Sequence, residues 1–157
     1  VPVDDPEAPA FIEYSRQWCK ALTKEHIRDG LAAFFPSSLD PGFRDYLIRQ
    51  FLLELREYYE IMQQMDVQLI ASSLLFVYDA DLDRRRAFFD GDVSNDEGSE
   101  TSQSASDNEQ TPLLDMRAID FAHSQWKKDD ATMAGYLLGL ENLIKLFEDF
   151  GANGPSP

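Results

Sequence analysis

Asp40-Pro41 opens the stretch that most constrains what this chain can fold into. Asp is a favoured N-cap and proline suits the first helical position, so the pair predicts a helix start. From there Phe43, Leu47, Phe51, Leu55, Tyr58 or Tyr59, and Met62 recur at steps of three and four residues. That spacing lays one apolar stripe along a helix of about six turns. A helix with such a stripe must bury it against a second layer.

The rest of the chain supplies that layer. Gln68 to Tyr78 is nearly continuous in Leu, Ile, Phe and Val, which predicts a strand buried on both faces. Leu113 to Phe121 reads as a second strand, the partner of the first. Gly135 or Tyr136 to Phe150 predicts a last helix with Leu140, Leu143, Ile144, Phe147 and Phe150 inward and Gly151 as its C-cap. A shorter helix is expected from Thr23, as N-cap, through Ile27, Leu31, Phe34 and Phe35, ended by Pro36-Ser37-Ser38. Helices on a small antiparallel sheet make the expected fold class α+β.

Between the strands, Asp79-Ala80-Asp81 turns the chain and Arg84-Arg85-Arg86 forms a short basic cluster. Gly91 to Thr111 is Ser, Asp, Glu, Asn and Gln with almost nothing apolar, so it is expected to be a disordered, solvated insert in an expanded hairpin loop. From Phe89 to Leu113 there is no Lys or Arg, while Asp90, Asp92, Asp96, Glu97, Glu100, Asp107 and Glu109 all fall there. The whole chain has 29 acidic against 14 basic residues, a net charge of −15. That balance excludes general nucleic-acid binding, which needs a basic footprint. It also gives the wrong sign for steering a polyanion, although much of the excess is confined to the insert.

Residues 1–17 are expected to be a linker or lead-in, 18–150 the folded lobe with its insert at 91–111, and 151–157 a disordered tail. No apolar run approaches the ~20 residues of a membrane span, and no secretory or transit segment is visible. Cys19 is the one cysteine; it permits no disulfide framework and reads as structural. The expected localisation is nucleus and/or cytoplasm.

Few side chains offer chemistry. Asp120 ends an apolar strand and precedes Phe121 and a small residue, which suits a carboxylate held against phosphate-bound Mg²⁺; the alternative is an Asp capping a turn. His123, just past the strand, suits a hydrogen bond to phosphate or is an ordinary loop histidine. Ser72 and Ser73 either leave room for a nucleotide to approach or merely begin a strand. Arg84, Arg85, Arg86, Lys127 and Lys128 are the local cation clusters, either phosphate contacts or a solvated face. His26, on the predicted first helix, has no partner in sequence and reads as structural. Two histidines and one cysteine make no zinc site of common spacing. There is no Gly-rich phosphate loop and no nucleophile elbow.

Ile119-Asp120-Phe121-Ala122-His123-Ser124, followed by Gly135-Tyr136-Leu137-Leu138-Gly139-Leu140-Glu141-Asn142-Leu143, resembles the C-terminal catalytic half of the inositol polyphosphate kinase family, its multikinases and hexakisphosphate kinases. Leu22-Thr23-Lys24-Glu25, Gly30-Leu31, Phe34-Phe35 and Ala71-Ser72-Ser73-Leu74-Leu75-Phe76-Val77-Tyr78 extend the resemblance from about Ala21 to Phe150. The resemblance implies the C-terminal lobe of that kinase fold, with ATP- and Mg²⁺-dependent phosphoryl transfer to an inositol phosphate. It implies Asp120 as metal ligand and, with Ser73, as nucleotide-binding. His123 becomes catalytic and substrate-binding, and Lys127, Lys128, Arg84 and Arg85 become phosphate-binding.

Two departures stand out. The family's Pro-x-x-x-Asp-x-Lys-x-Gly signature is absent; Pro36 and Asp40 share its first spacing, but Gly42 stands where the Lys belongs. The family's Asp two residues before the Gly-Tyr is here Met133, with Asp129 and Asp130 slightly upstream. No segment reads as a nucleotide-gripping lobe, and the sequence begins with Val. The expectation is therefore a C-terminal fragment that is inactive without an N-terminal lobe as partner. The alternative is a non-catalytic remnant that binds an inositol phosphate or a protein. An acidic helical scaffold unrelated to kinases is the third reading.

Overall fold

The structure, a computed structural model, describes residues 12–91, 112–126 and 130–153. Most of the expected lead-in, acidic insert and tail lies outside the described residues, as do Lys127, Lys128 and Asp129. The elements are α1 (Arg16–Ala21), α2 (Ile27–Phe34), α3 (Pro41–Gln64), β1 (Val67–Gln68), β2 (Ser73–Tyr78), α4 (Leu82–Gly91), β3 (Leu114–Ile119), β4 (Gln125–Trp126) and α5 (Asp130–Asn153). The class is α+β, as expected.

Asp40 starts α3 as its sequence predicts: the carboxylate accepts from the Phe43 N–H at 2.8 Å, and Pro41 takes the first helical position. Phe43, Leu47, Ile48, Phe51, Leu55 and Met62 are buried along its stripe. The covering layer is α5, which runs antiparallel to it. Ile48 faces Gly151, Arg56 pairs with Glu148, and Tyr59 donates to Glu141. The ladder of β2 and β3, in register from Ser73↔Ile119 to Tyr78↔Leu114, lies across both helices. Phe76 sits 5.3 Å from the Phe51 ring and 5.7 Å from that of Phe147. Tyr78 crosses the core to donate its hydroxyl to the Phe34 carbonyl at 2.7 Å. Each large side chain buried here is worth about 1.5–3 kcal/mol.

The observed elements depart from expectation in six places. The expected strand Gln68 to Tyr78 is broken: β1 pairs with β4, Ala71 turns the chain at a φ of 55°, and only then does β2 begin. Nor is β2 buried on both faces. The helices cover one face of a two-stranded ladder, so Leu75 and Val77 remain 45% and 49% exposed. The helix expected at Thr23 starts at Ile27, because Thr23 Oγ1 and His26 Nδ1 close a turn at 3.0 Å.

Two helices went unforeseen. In α1, Ser15 Oγ accepts from the Trp18 N–H at 3.2 Å; Cys19 is exposed on it and so is not a core residue. In α4, Asp81 Oδ1 accepts from the N–H groups of Asp83 and Arg84 at 3.1 and 2.9 Å, so the expected turn is an N-cap. Finally, α5 begins at Asp130 and continues through Gly151, which is a packing glycine rather than a cap.

Candidate functional site

The register of the sheet assembles the site. Ser73, the first residue of β2, pairs with Ile119, the last of β3. One residue further, Asp120 sits exposed at a φ of 66°. Ala71 and Asp120 are the two non-glycine residues with positive φ among those described, and both adjoin this one end of the ladder. A left-handed residue costs roughly 1–2 kcal/mol, less for Asp, and both strained positions fall at the end of the ladder where the candidate residues lie. Beyond Asp120 the chain turns, with the Ser124 N–H donating to the Phe121 carbonyl at 2.9 Å. His123 lies exposed in that turn.

Beside Ser73 opens a cleft of about 420 Å³ between β2 and α5, lined by Ser72, Ser73, Leu74, Phe76, Gly135, Tyr136, Gly139, Leu140 and Leu143. A Cβ on Gly135 or Gly139 would meet no atom within 4 Å. Their four-residue spacing puts both on one helix face, so backbone is bare there beside Tyr136, Leu140 and Leu143. Tyr136 is held by Tyr58, the two hydroxyls standing 2.9 Å apart. Burial first, and the bond to Tyr136 second, push the Tyr58 phenol well above its ordinary range. The Ser72 and Ser124 hydroxyls are buried and without a hydrogen-bond partner among the described residues. A buried orphan hydroxyl costs about 1–3 kcal/mol, which a ligand oxygen relieves.

The groups that the sequence resemblance implies are a divalent cation and a nucleotide, and these residues fit them. Magnesium-type cations take one or two carboxylates and fill the remaining positions with phosphate oxygens and water. Asp120 supplies one carboxylate; strand pairing brings Ser73, with Ser72 before it, alongside, and Ser124 follows four residues later in the chain. Among the described residues no group of three His, Cys, Asp or Glu side chains is placed to hold a metal alone.

The other expected site residues fall elsewhere. Arg84 pairs with Asp79 at 3.5 Å, and Arg85 stacks on Phe43 at 4.6 Å. Both therefore stand at the Tyr78 end of β2, roughly 17 Å along the strand from Ser73. Lys127 and Lys128 lie outside the described residues. His26 has its partner in Thr23, as a structural histidine should. Sequence reasoning missed Ser124 and the Tyr58–Tyr136 pair. The glycine spacing was visible as a signal; the orphaned Ser124 hydroxyl had none.

No described helix is long and apolar enough to cross a membrane. Comparison with known proteins adds relatives to this geometry. Human inositol hexakisphosphate kinase 1 is 30% identical over 88% of this chain and 37% of its own. The inositol polyphosphate multikinase of Saccharomyces cerevisiae is 26% identical over 89% and 45%. The crystal structure of the S. cerevisiae inositol phosphate multikinase Ipk2 in complex with ADP and Mn²⁺ superposes with a TM-score of 0.61 at 27% identity, covering 82% of this chain and 47% of that one. The chain thus spans less than half the length of these relatives. Residues 4–148 match the inositol polyphosphate kinase family, and the chain belongs to that family.

Proposed function

We propose that residues 18–150 form the C-terminal lobe of a kinase that transfers the γ-phosphoryl group of ATP to a hydroxyl of an inositol phosphate. The observation that carries this reading is the placement of Asp120, in a left-handed backbone position one residue past the partner of Ser73 and next to a glycine-walled cleft. The names of the relatives support the substrate class, and the ADP and Mn²⁺ of the structural neighbour support nucleotide and divalent-cation use.

In this reading Asp120 holds the cation, taken to be Mg²⁺, from the rigid end of β3. The Ser72, Ser73 and Ser124 hydroxyls donate to phosphate oxygens, and Gly135 and Gly139 let the nucleotide approach the backbone of α5. His123 hydrogen-bonds the phosphate of the inositol substrate from the exposed turn. The cation, when bound, neutralises the phosphate charge and polarises the transferred group. A base for the attacking hydroxyl is not among these residues. The reading therefore includes a partner lobe, without which the chain has little activity.

The test is binding of ATP to the chain with and without Mg²⁺, followed by calorimetry of Asp120→Asn. We expect Mg²⁺-dependent binding that the substitution weakens at least tenfold, with stability unchanged because Asn also tolerates φ > 0. Equal binding by both proteins would remove Asp120 from the metal site. The second reading, a non-catalytic inositol-phosphate-binding or protein-binding remnant, is favoured by Met133 standing where the resemblance expects an Asp. It predicts that the chain binds an inositol phosphate or a protein and shows no Mg²⁺-dependent binding of ATP.

A further inference from the structure

A second cluster of cations stands apart from that site. At the Tyr78 end of β2, the first turns of α3 and the face of α4 enclose an open cleft of about 410 Å³. Arg49 enters it from α3, and Arg85 and Arg86 enter from α4, over an apolar wall of Phe43, Tyr46 and Phe89. Three guanidinium groups converge here in a chain with twice as many acids as bases.

Their donors are largely uncommitted. Among the described residues Arg49 is exposed and has no ion pair or hydrogen bond. Arg86 stands 4.0 Å from Asp83, with both side chains mostly in solvent, a pair of little strength. Arg85 lies 4.6 Å over the Phe43 ring, which occupies its flat face and leaves the in-plane N–H groups to bind a ligand. One acid lines the cleft, Asp40, whose carboxylate already accepts from the Phe43 N–H, and Asp45 stands 4.0 Å from Arg44. The N-terminal turn of α3 adds positive potential through Gly42. Burial raises the Tyr46 phenol, so its hydroxyl stays a donor at neutral pH.

We infer that this cleft is a separate binding site for a small oligophosphate anion, held by Arg49, Arg85 and Arg86. The volume falls within the range of small-molecule sites. Planar guanidinium forks match phosphate oxygens in pairs, and three of them suit a ligand with two or more phosphates. The walls are helices with no free sheet edge, so an extended peptide backbone has nothing to pair with. The inference does not rest on the kinase reading, because none of these residues belongs to the Asp120 end.

The experiment is calorimetric titration of inorganic tripolyphosphate into the whole chain in 0.15 M salt with EDTA, which removes any cation contribution at Asp120. Arg49 and Arg86 are the residues to change, since neither supports the core. We expect one site that persists in Asp120→Asn, weakens about tenfold in Arg49→Gln or Arg86→Gln, and is lost in the double variant. Amide resonances of Gly42 and Arg85 should shift on binding, while those of Ser73 and Gly139 should not. Competition by ATP or by inositol hexakisphosphate, either of which supports the site, tells a nucleotide source from a cyclitol one. Absence of binding, binding indifferent to both arginines, or binding lost in Asp120→Asn would each overturn the inference.

Discussion

The hydroxyls of Tyr58 and Tyr136 stand 2.9 Å apart, tying the C-terminal half of α3 to the turn of α5 that carries Gly135 and Gly139. Replacing either by Phe should cost about 1 kcal/mol, and the double variant should cost little more than one alone. Burial of the Tyr58 phenol, and the bond second, also set an alkaline limit. Tyr58 has its folded-state pKa raised above the ordinary 10.0, so the folded protein holds that proton more tightly than the unfolded chain. Its stabilisation is complete below pH 10 and is lost as pH rises beyond. Urea midpoints from pH 8 to 11 should therefore fall at the alkaline end, less steeply in Tyr58→Phe. An unchanged slope would mean the phenol is not buried as described.

Two glycines of α5 should respond differently to the same substitution. At Gly139 a Cβ meets nothing within 4 Å, so Gly139→Ala should stabilise by roughly 0.8–1 kcal/mol through helix propensity. At Gly151 the added carbon would stand 3.2 Å from Ile48 Cγ2, and crowding offsets that gain. Chemical unfolding of both variants decides it. In the kinase reading, Gly139→Ala also weakens ATP, separating stability from binding.

Ala71 is held at a φ of 55°, where a side chain is strained and glycine is not. Ala71→Gly should raise stability by about 1 kcal/mol, read as a higher melting temperature. A loss of similar size would show that the left-handed turn is absent in solution.

Phe51 lies at the crossing of the three layers, with the rings of Phe34, Phe35, Phe76 and Phe147 all within 6.3 Å. Phe51→Ala should cost about 3–5 kcal/mol, a large share of the ~5–15 kcal/mol that holds a domain together. Phe51→Leu should cost far less. Denaturant midpoints measure both, and similar losses for the two would argue against a tightly packed ring.

The long elements were legible because their signals are local and repeated. The stripe from Phe43 to Met62 and the inward residues of α5 follow directly from spacing. The partnership of β2 and β3 also held, as did the class. What sequence could not carry was geometry decided by neighbours. The break at Ala71 comes from β1 pairing with β4 across a gap of more than fifty residues, and Ala carries no turn signal. The exposure of Leu75 and Val77 depends on how many strands and helices surround them. The arginine run looked like one phosphate-binding group; α4 instead spends Arg84 on Asp79 and faces Arg85 and Arg86 toward α3. Arg49 joins them from a helix whose pattern reported only its apolar side.

The ladder between β2 and β3 is closed at its far end by Tyr78 opposite Leu114 and by the Asp79 N–H donating to the Leu113 carbonyl at 2.8 Å. Those two points are anchored to each other whatever chain joins them. Lengthening the connection between Gly91 and Pro112 therefore leaves the register alone, and each doubling of a flexible loop costs only about 0.6 kcal/mol. That connection is a natural port for grafting: an epitope tag, a fluorescent reporter or a protease site placed there should leave the Asp120 end of the sheet undisturbed.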